Sequence, residues 1–220
     1  MPEELKTLKE KLSAKKITKI QAYEFFSGKL NNTAVVLVES GIGKVQAGIV
    51  TALLIENFKV DYVINSGSAG GIGAGLKVGD VVLANSVAYH DVDVTAFGYL
   101  KGQLPNQPQK FQADETLLEK LTLAATKSNL NVKTGLIVSG DQFVASKEKI
   151  AQIKNLYPDA LCCEMESAAI GQVAMQFGVG FSVIRAVSDT ADEQANQSFD
   201  EFILEAGKRS ALMILNLTKD

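Results

Sequence analysis

The chain has 220 residues, 46% hydrophobic and 21% charged, with a net charge of -3. That length suits one domain able to bury about 70% of its unfolded surface, and the slightly acidic balance leaves no basic footprint for nucleic acid. No apolar run approaches the roughly 20 residues of a membrane span, and the charged start from Met1 to Lys11 has no signal-peptide core, so no membrane partner and a cytoplasmic location are expected.

Met1-Pro-Glu-Glu-Leu opens a helix, with Pro2 in the first turn, Glu3 and Glu4 at the positive end, and Leu5, Leu8 and Leu12 as an apolar stripe. Ala22 to Leu30 and Thr33 to Glu39 read as antiparallel strands joined at Asn31-Asn32. Ser40-Gly-Ile-Gly-Lys44 then leads into a helical pattern from Val45 to Phe58. The Walker phosphate loop is excluded, because Val38 stands in place of its first glycine and Val45 follows the lysine. Gly41 and Gly43 are read instead as allowing close backbone approach at a strand-to-helix turn. Asp61 to Asn65 is a buried strand, and Ser66 to Gly75 is expected as a glycine-rich loop spilling from its end. Ala69 breaks the dinucleotide fingerprint there, but such a loop's amides suit hydroxyls or an anion.

Asp80 to Tyr89 is a further strand, and His90, the sole histidine, is expected as a packed or loop residue. A His-rich metal site is thereby disfavoured, as is a Ser-His-Asp triad lacking it. The irregular stretch to Gln109 carries Phe97, Tyr99, Pro105 and Pro108, which suits a lid, a subunit contact or a loop held down by its own side chains. Glu115 to Lys127 is an amphipathic helix, Val132 to Ser139 a strand and Gly140 to Phe143 a turn; Phe143 there either stacks on a flat ligand or fills the core. Lys147 to Leu156 is a helix stopped by Pro158. Adjacent Cys162 and Cys163 are a poor disulfide geometry and fit a reducing compartment.

Glu164 to Phe177 is expected to be one helix, with Glu166, Ile170, Val173 and Phe177 on its buried face and Glu164 a surface acid. Phe181 to Asp189 reads as an interior strand whose alternation puts Arg185 and Asp189 on one face, about 13 Å apart at roughly 3.3 Å per residue. Each charge therefore needs its own partner: a structural ion pair and a turn cap, or a ligand at the carboxyl edge where open α/β sheets collect them. Ser198 is the expected N-cap of a final helix to about Leu217, with Glu201 completing a capping box.

Glu4, Glu166 and Asp189 remain as acids seeking a role, and cleavage of a glycosidic bond employs two carboxyls across an oxocarbenium-like transition state. Ser40-Gly-Ile-Gly-Lys-Val, Asn65-Ser-Gly-Ser-Ala-Gly-Gly, Tyr89-His-Asp-Val-Asp-Val-Thr-Ala-Phe-Gly-Tyr, Val138-Ser-Gly-Asp-Gln-Phe, Glu164-Met-Glu, Arg185-Ala-Val-Ser-Asp and Ser198-Phe-Asp-Glu-Phe together resemble the 5'-methylthioadenosine/S-adenosylhomocysteine nucleosidases, members of the purine nucleoside phosphorylase superfamily. The likeness runs in order from Met1 almost to the end.

The resemblance implies one α/β domain over residues 1–220, with a twisted mixed central β-sheet flanked by helices, no cofactor and no metal. Its implied substrates are small nucleoside thioethers, with 5'-deoxyadenosine as a further one, and it implies a homodimer. By the same resemblance Asp189 is the general acid at purine N7, Glu4 activates water, and Glu166 with the Met165 backbone holds the ribose hydroxyls. Phe143 lies beneath adenine, the Val144 main chain reads its edge, and Ser68, Gly70 and Arg185 surround the ribose and water. Ile42, Phe199 and, from a second subunit, Tyr99 and Pro105 form the pocket for the 5'-alkylthio group. The family ordinarily places an apolar strand ahead of its Met-x-Glu-Glu segment, so with Met1 as residue 1 either the numbering begins at a late methionine or that strand is missing. The alternatives are a phosphate-dependent phosphorylase of the same superfamily and a non-catalytic nucleoside-binding protein.

Overall fold

The computed structural model describes residues 2–128, 130–191 and 195–219, with the backbone alone at position 3 and positions 195–201. Helix α1 (Pro2–Lys11) buries Leu8 and is followed by a three-stranded antiparallel sheet of β1 (Ser13–Ile20), β2 (Tyr23–Leu30) and β3 (Thr33–Val38). The β2–β3 hairpin turns at Asn31-Asn32 as expected, with Asn31 at φ 52°, a left-handed conformation that asparagine tolerates. Strand β1 has no counterpart among the expected elements. It carries Lys15, Lys16 and Lys19 and is almost wholly exposed, so it lacks the apolar face that marks a strand.

The chain continues through α2 (Lys44–Phe58), β4 (Tyr62–Gly71), β5 (Val81–Tyr89), β6 (Lys110–Gln112), α3 (Glu115–Thr126), β7 (Val132–Ser139) and α4 (Lys147–Leu156). It ends with β8 (Ala160–Glu164), α5 (Ser167–Gln176), β9 (Gly180–Asp189) and α6 (Ala195–Leu217). The six strands from β4 onward form the expected mixed sheet, in the order β6-β5-β7-β8-β4-β9. It curls on itself: Val81, Val82 and Leu83 of β5 also pair antiparallel with Ala186, Arg185 and Ile184 of β9. Helices α2 and α5 bury one face around Val87, Phe181 and Val183, while α1, α3 and α6 bury the other around Leu83, Leu121, Ile184 and Met213. Among the described residues no helix is long and apolar enough to cross a membrane.

Four sequence expectations change. The glycine-rich stretch to Gly71 is strand, not loop: β4 runs alongside β9 from Tyr62 to Gly70. Residues 164–177 are not one helix, because Glu164 ends β8 and α5 starts only at Ser167. The last helix has already begun at Ala195, so Ser198 is inside it rather than at its cap, and the side chains of Ser198, Phe199 and Glu201 lie outside the described residues. Alternation along β9 breaks near its end, where Ala69 opposes Val187 but Gly70 opposes Asp189, leaving Ser188 as the extra residue of a bulge.

Among the described residues β3 pairs only with β2, and β4 meets β8 only at Gly70 and Gly71. Between these two edges runs an apolar trough lined by Val35, Leu37, Ile64, Leu117 and Ile214.

Candidate active site

Strands β4, β8 and β9 end together, with Gly70 opposite both Cys163 and Asp189. Beside that junction a cavity of about 1060 Å³ opens. It is lined by Glu4, Ile42, Ser68, Gly70, Phe143, Val144, Met165, Glu166, Arg185 and Asp189, and continues into the trough. Ten expected site residues, from six separate stretches of chain, thus share one hollow. Tyr99 and Pro105 do not line it, and the Phe199 side chain lies outside the described residues.

The glycines of β4 make this convergence sterically feasible. A methyl at Gly67 would collide with the Arg185 guanidinium and lie 3.0 Å from Glu4 Oε1, while one at Gly70 would lie 3.0 Å from Asp189 Oδ1. Glycine in a strand here marks side chains lying flat on the backbone.

Glu4 is delivered by the first turn of α1. Its Oε1 accepts from Ser68 N and Ser68 Oγ, both at 2.8 Å. Burial raises the pKa of this carboxyl, but neighbouring positive charge, Arg185 included, and the Ser68 bond outweigh it and hold Glu4 below its ordinary value.

Behind Glu4 lies a buried polar network that the sequence did not reveal. Arg185, 2% exposed, donates through Nη2 to Glu164, to Asn65 Oδ1 at 2.6 Å and to Ser167 Oγ at 3.1 Å. Glu164, expected at the surface, is buried and accepts from Ser139 Oγ, from Ser167 Oγ at 2.8 Å and from Ser167 N at 3.0 Å. Burial pushes the Glu164 pKa up, yet the guanidinium and the two hydroxyls more than offset that, so it stays lowered and ionised. Two of its partners come from other strands, Ser139 from β7 and Arg185 from β9, so its own segment did not tell it apart from Glu166.

Glu166 sits on a non-helical residue at the N-cap of α5 rather than on that helix's face. Its Oε1 accepts from Gly43 N at 2.9 Å, and its Oε2 lies 3.5 Å from Arg185 Nη2. Burial raises its pKa to about 7, helped by the adjacent Glu164 charge. An acid poised near neutrality beside an ionised one is a common feature of functional sites.

Asp189 is 3% exposed; its Oδ1 accepts from Ala191 N at 2.8 Å and its Oδ2 from Ser188 Oγ at 2.9 Å. Phe143, half exposed, and buried Val144 follow the Gly140–Gln142 turn, whose Gly140 N donates to Glu164 O at 3.1 Å. Ile42 lies between Gly41 and Gly43, both at positive φ, with its side chain exposed at the rim.

A family model described as the phosphorylase superfamily matches residues 1–219. A curated 5'-methylthioadenosine/S-adenosylhomocysteine nucleosidase of Actinobacillus succinogenes is 49% identical over 217 residues, covering 99% of this chain and 94% of its own length. The crystal structure of the Neisseria meningitidis nucleosidase of that name, in complex with methylthio-immucillin-A, superposes with a TM-score of 0.98 at 47% identity, covering 100% of this chain and 95% of the other. The Streptococcus pneumoniae nucleosidase with a transition-state inhibitor gives 0.96 at 46% identity, covering 100% and 95%. Sequence, fold and pocket thus agree, and the chain belongs to the phosphorylase superfamily, among its 5'-methylthioadenosine/S-adenosylhomocysteine nucleosidases.

Proposed function

We propose that the protein hydrolyses the N-glycosidic bond of 5'-methylthioadenosine and S-adenosylhomocysteine, and of 5'-deoxyadenosine, releasing adenine with 5-methylthioribose, S-ribosylhomocysteine or 5-deoxyribose. The carrying observation is the presence of Glu4 and Asp189 in one hollow, the first against Ser68 and the second at the end of β9.

In this reading Phe143 stacks on adenine, the Val144 main chain meets its edge, and protonated Asp189 donates to N7. Its second oxygen accepts from the 6-amino group, which favours adenine over a 6-oxo purine. Protonation lets the base depart as a neutral molecule while positive charge grows on the sugar. Glu166 and the Met165 backbone hold the ribose hydroxyls, and the Glu166 carboxylate attracts the growing charge. Glu4, with Ser68 and Arg185 around the water, takes a proton as the water oxygen bonds to the anomeric carbon. The carbon–nitrogen bond breaks, the proton from Asp189 stays on adenine, and the water proton restores the acid through solvent.

A phosphorylase is disfavoured because Glu4 already occupies the Ser68 amide and hydroxyl, donors an incoming phosphate would need, and adds repulsion. The cavity of a single chain includes neither Tyr99 nor Pro105. Val45 (71%), Phe97 (80%) and Leu100 (60%) are exposed apolar side chains, which suits burial in a homodimer whose second copy closes the 5' side with Tyr99 and Pro105. Incubation with each thioether in phosphate-free buffer is expected to release adenine. Release only after adding phosphate indicates a phosphorylase, and saturable binding without release a non-catalytic binder.

A further inference from the structure

Two segments that line the nucleoside hollow are cross-linked, by way of the end of β5, by charged groups that themselves lie outside it. Lys44, at the first turn of α2, donates from Nζ to Asp91 Oδ2 at 2.6 Å and from its backbone N to Asp141 Oδ1 at 2.8 Å. The same Asp91 oxygen accepts from Asp141 N at 2.9 Å, and Lys44 Nζ lies 3.7 Å from Asp141 Oδ2. Lys44 also stands 5.4 Å over the Tyr89 ring, whose hydroxyl donates to Gln172 Oε1 of α5 at 2.6 Å. His90 packs its ring on Gly140, where an added methyl would lie 2.6 Å from Nε2 and 3.0 Å from Asp91 Cγ.

The ends of this brace carry the pocket walls. Lys44 directly follows the Gly41-Ile42-Gly43 loop, whose Gly43 N bonds Glu166; Asp141 directly precedes Gln142, Phe143 and Val144. Asp91 links the two from the end of β5. Neither Lys44, Asp91 nor Asp141 lines the cavity. We propose that Lys44, Asp91 and Asp141 are positioning residues that set the separation between the wall at Ile42 and the wall at Phe143, and so fix the affinity for 5'-substituted adenosines.

Burial raises the Asp91 carboxyl, but the Lys44 and Asp141 bonds outweigh it and keep it ionised, as such a brace requires. Because Glu4 and Asp189 belong to other segments, and side-chain changes at Lys44 and Asp91 leave the Gly43 amide that bonds Glu166 in the chain, loosening the brace enlarges the gap in the ground state and the transition state alike. Such a loss of uniform binding raises KM and spares kcat.

The proposal rests on the nucleosidase reading, so wild type is measured first; absence of adenine release there rejects that reading and leaves no affinity for the brace to set. With wild type active, Lys44→Met and Asp91→Asn are each expected to raise KM for 5'-methylthioadenosine by about tenfold, the scale of one charge-assisted hydrogen bond. kcat is expected to stay within about twofold, the double variant to match either single one, and Lys44→Arg to recover most of the loss. Unchanged KM in folded variants, losses confined to kcat, or additive losses in the double variant would each overturn it. Should Asp91→Asn fail to fold, the contrast between Lys44→Met and Lys44→Arg decides alone, since Lys44 is partly exposed (23%).

Discussion

Asp189 and Glu166 present two carboxyls in different surroundings, and their expected behaviour differs accordingly. At Asp189 the amide of Ala191 and the hydroxyl of Ser188 fix both oxygens, so an asparagine of equal size fits there but supplies no transferable acid proton. Asp189→Asn is expected to lower kcat by about 10² to 10⁴, with circular dichroism unchanged; near-normal adenine release would remove the residue from the proton-donor role. Glu166 has its pKa raised to about 7, and in the proposed role as holder of the ribose hydroxyls its ionised form is the stronger acceptor. Since kcat/KM reports the free enzyme, its value should rise about tenfold per pH unit up to about 7 and then level. A flat profile from pH 5 to 7 would contradict this. The stability effect has the opposite sense: a raised carboxyl pKa favours the protonated fold, so that contribution is full below the ordinary glutamate value and is lost as pH climbs through about 7. Glu166 was singled out in the sequence for a place on a helix face, and the structure puts it at the N-cap of α5 instead. Glu164 was misread because its partners, Ser139 and Arg185, are 25 and 21 residues away, and adjacent acids give no local cue to which one turns inward.

Strand β4 carries the largest misreading among the elements, and it has a physical cause. Glycine is disfavoured in strands on average, so Ser-Gly-Ser-Ala-Gly-Gly reads as a loop; here the missing side chains make room for Arg185, Asp189 and Val187 from β9. Gly67→Ala should therefore displace the guanidinium and push on Glu4, lowering turnover on the order of 10²-fold, the scale of a 1 Å misplacement. A folded Gly67→Ala enzyme with unchanged kcat would show that the close approach is unnecessary. Strands β5, β7 and β9 and helices α2 to α4 were legible because apolar runs and periodic stripes mark them, whereas β1 and β6 offered neither.

At the scale of the molecule, the family resemblance carried the α/β class, but not the division into two sheets or the return of β9 to β5. Those depend on ladder partners more than 50 residues distant, which no local pattern encodes. The hollow's volume of about 1060 Å³ lies just above the roughly 300–1,000 Å³ usual for small-molecule sites. The surplus is the trough between the β3 and β4 edges, floored by the aliphatic side chains of Val35, Leu37, Ile64, Leu117 and Ile214. A hydrophobic reporter such as anilinonaphthalene sulfonate should settle there and fluoresce at neutral pH without any unfolding. Saturating the purine end with an unreactive adenosine analogue should then quench only part of the emission; complete quenching would mean that dye and nucleoside contend for the same berth.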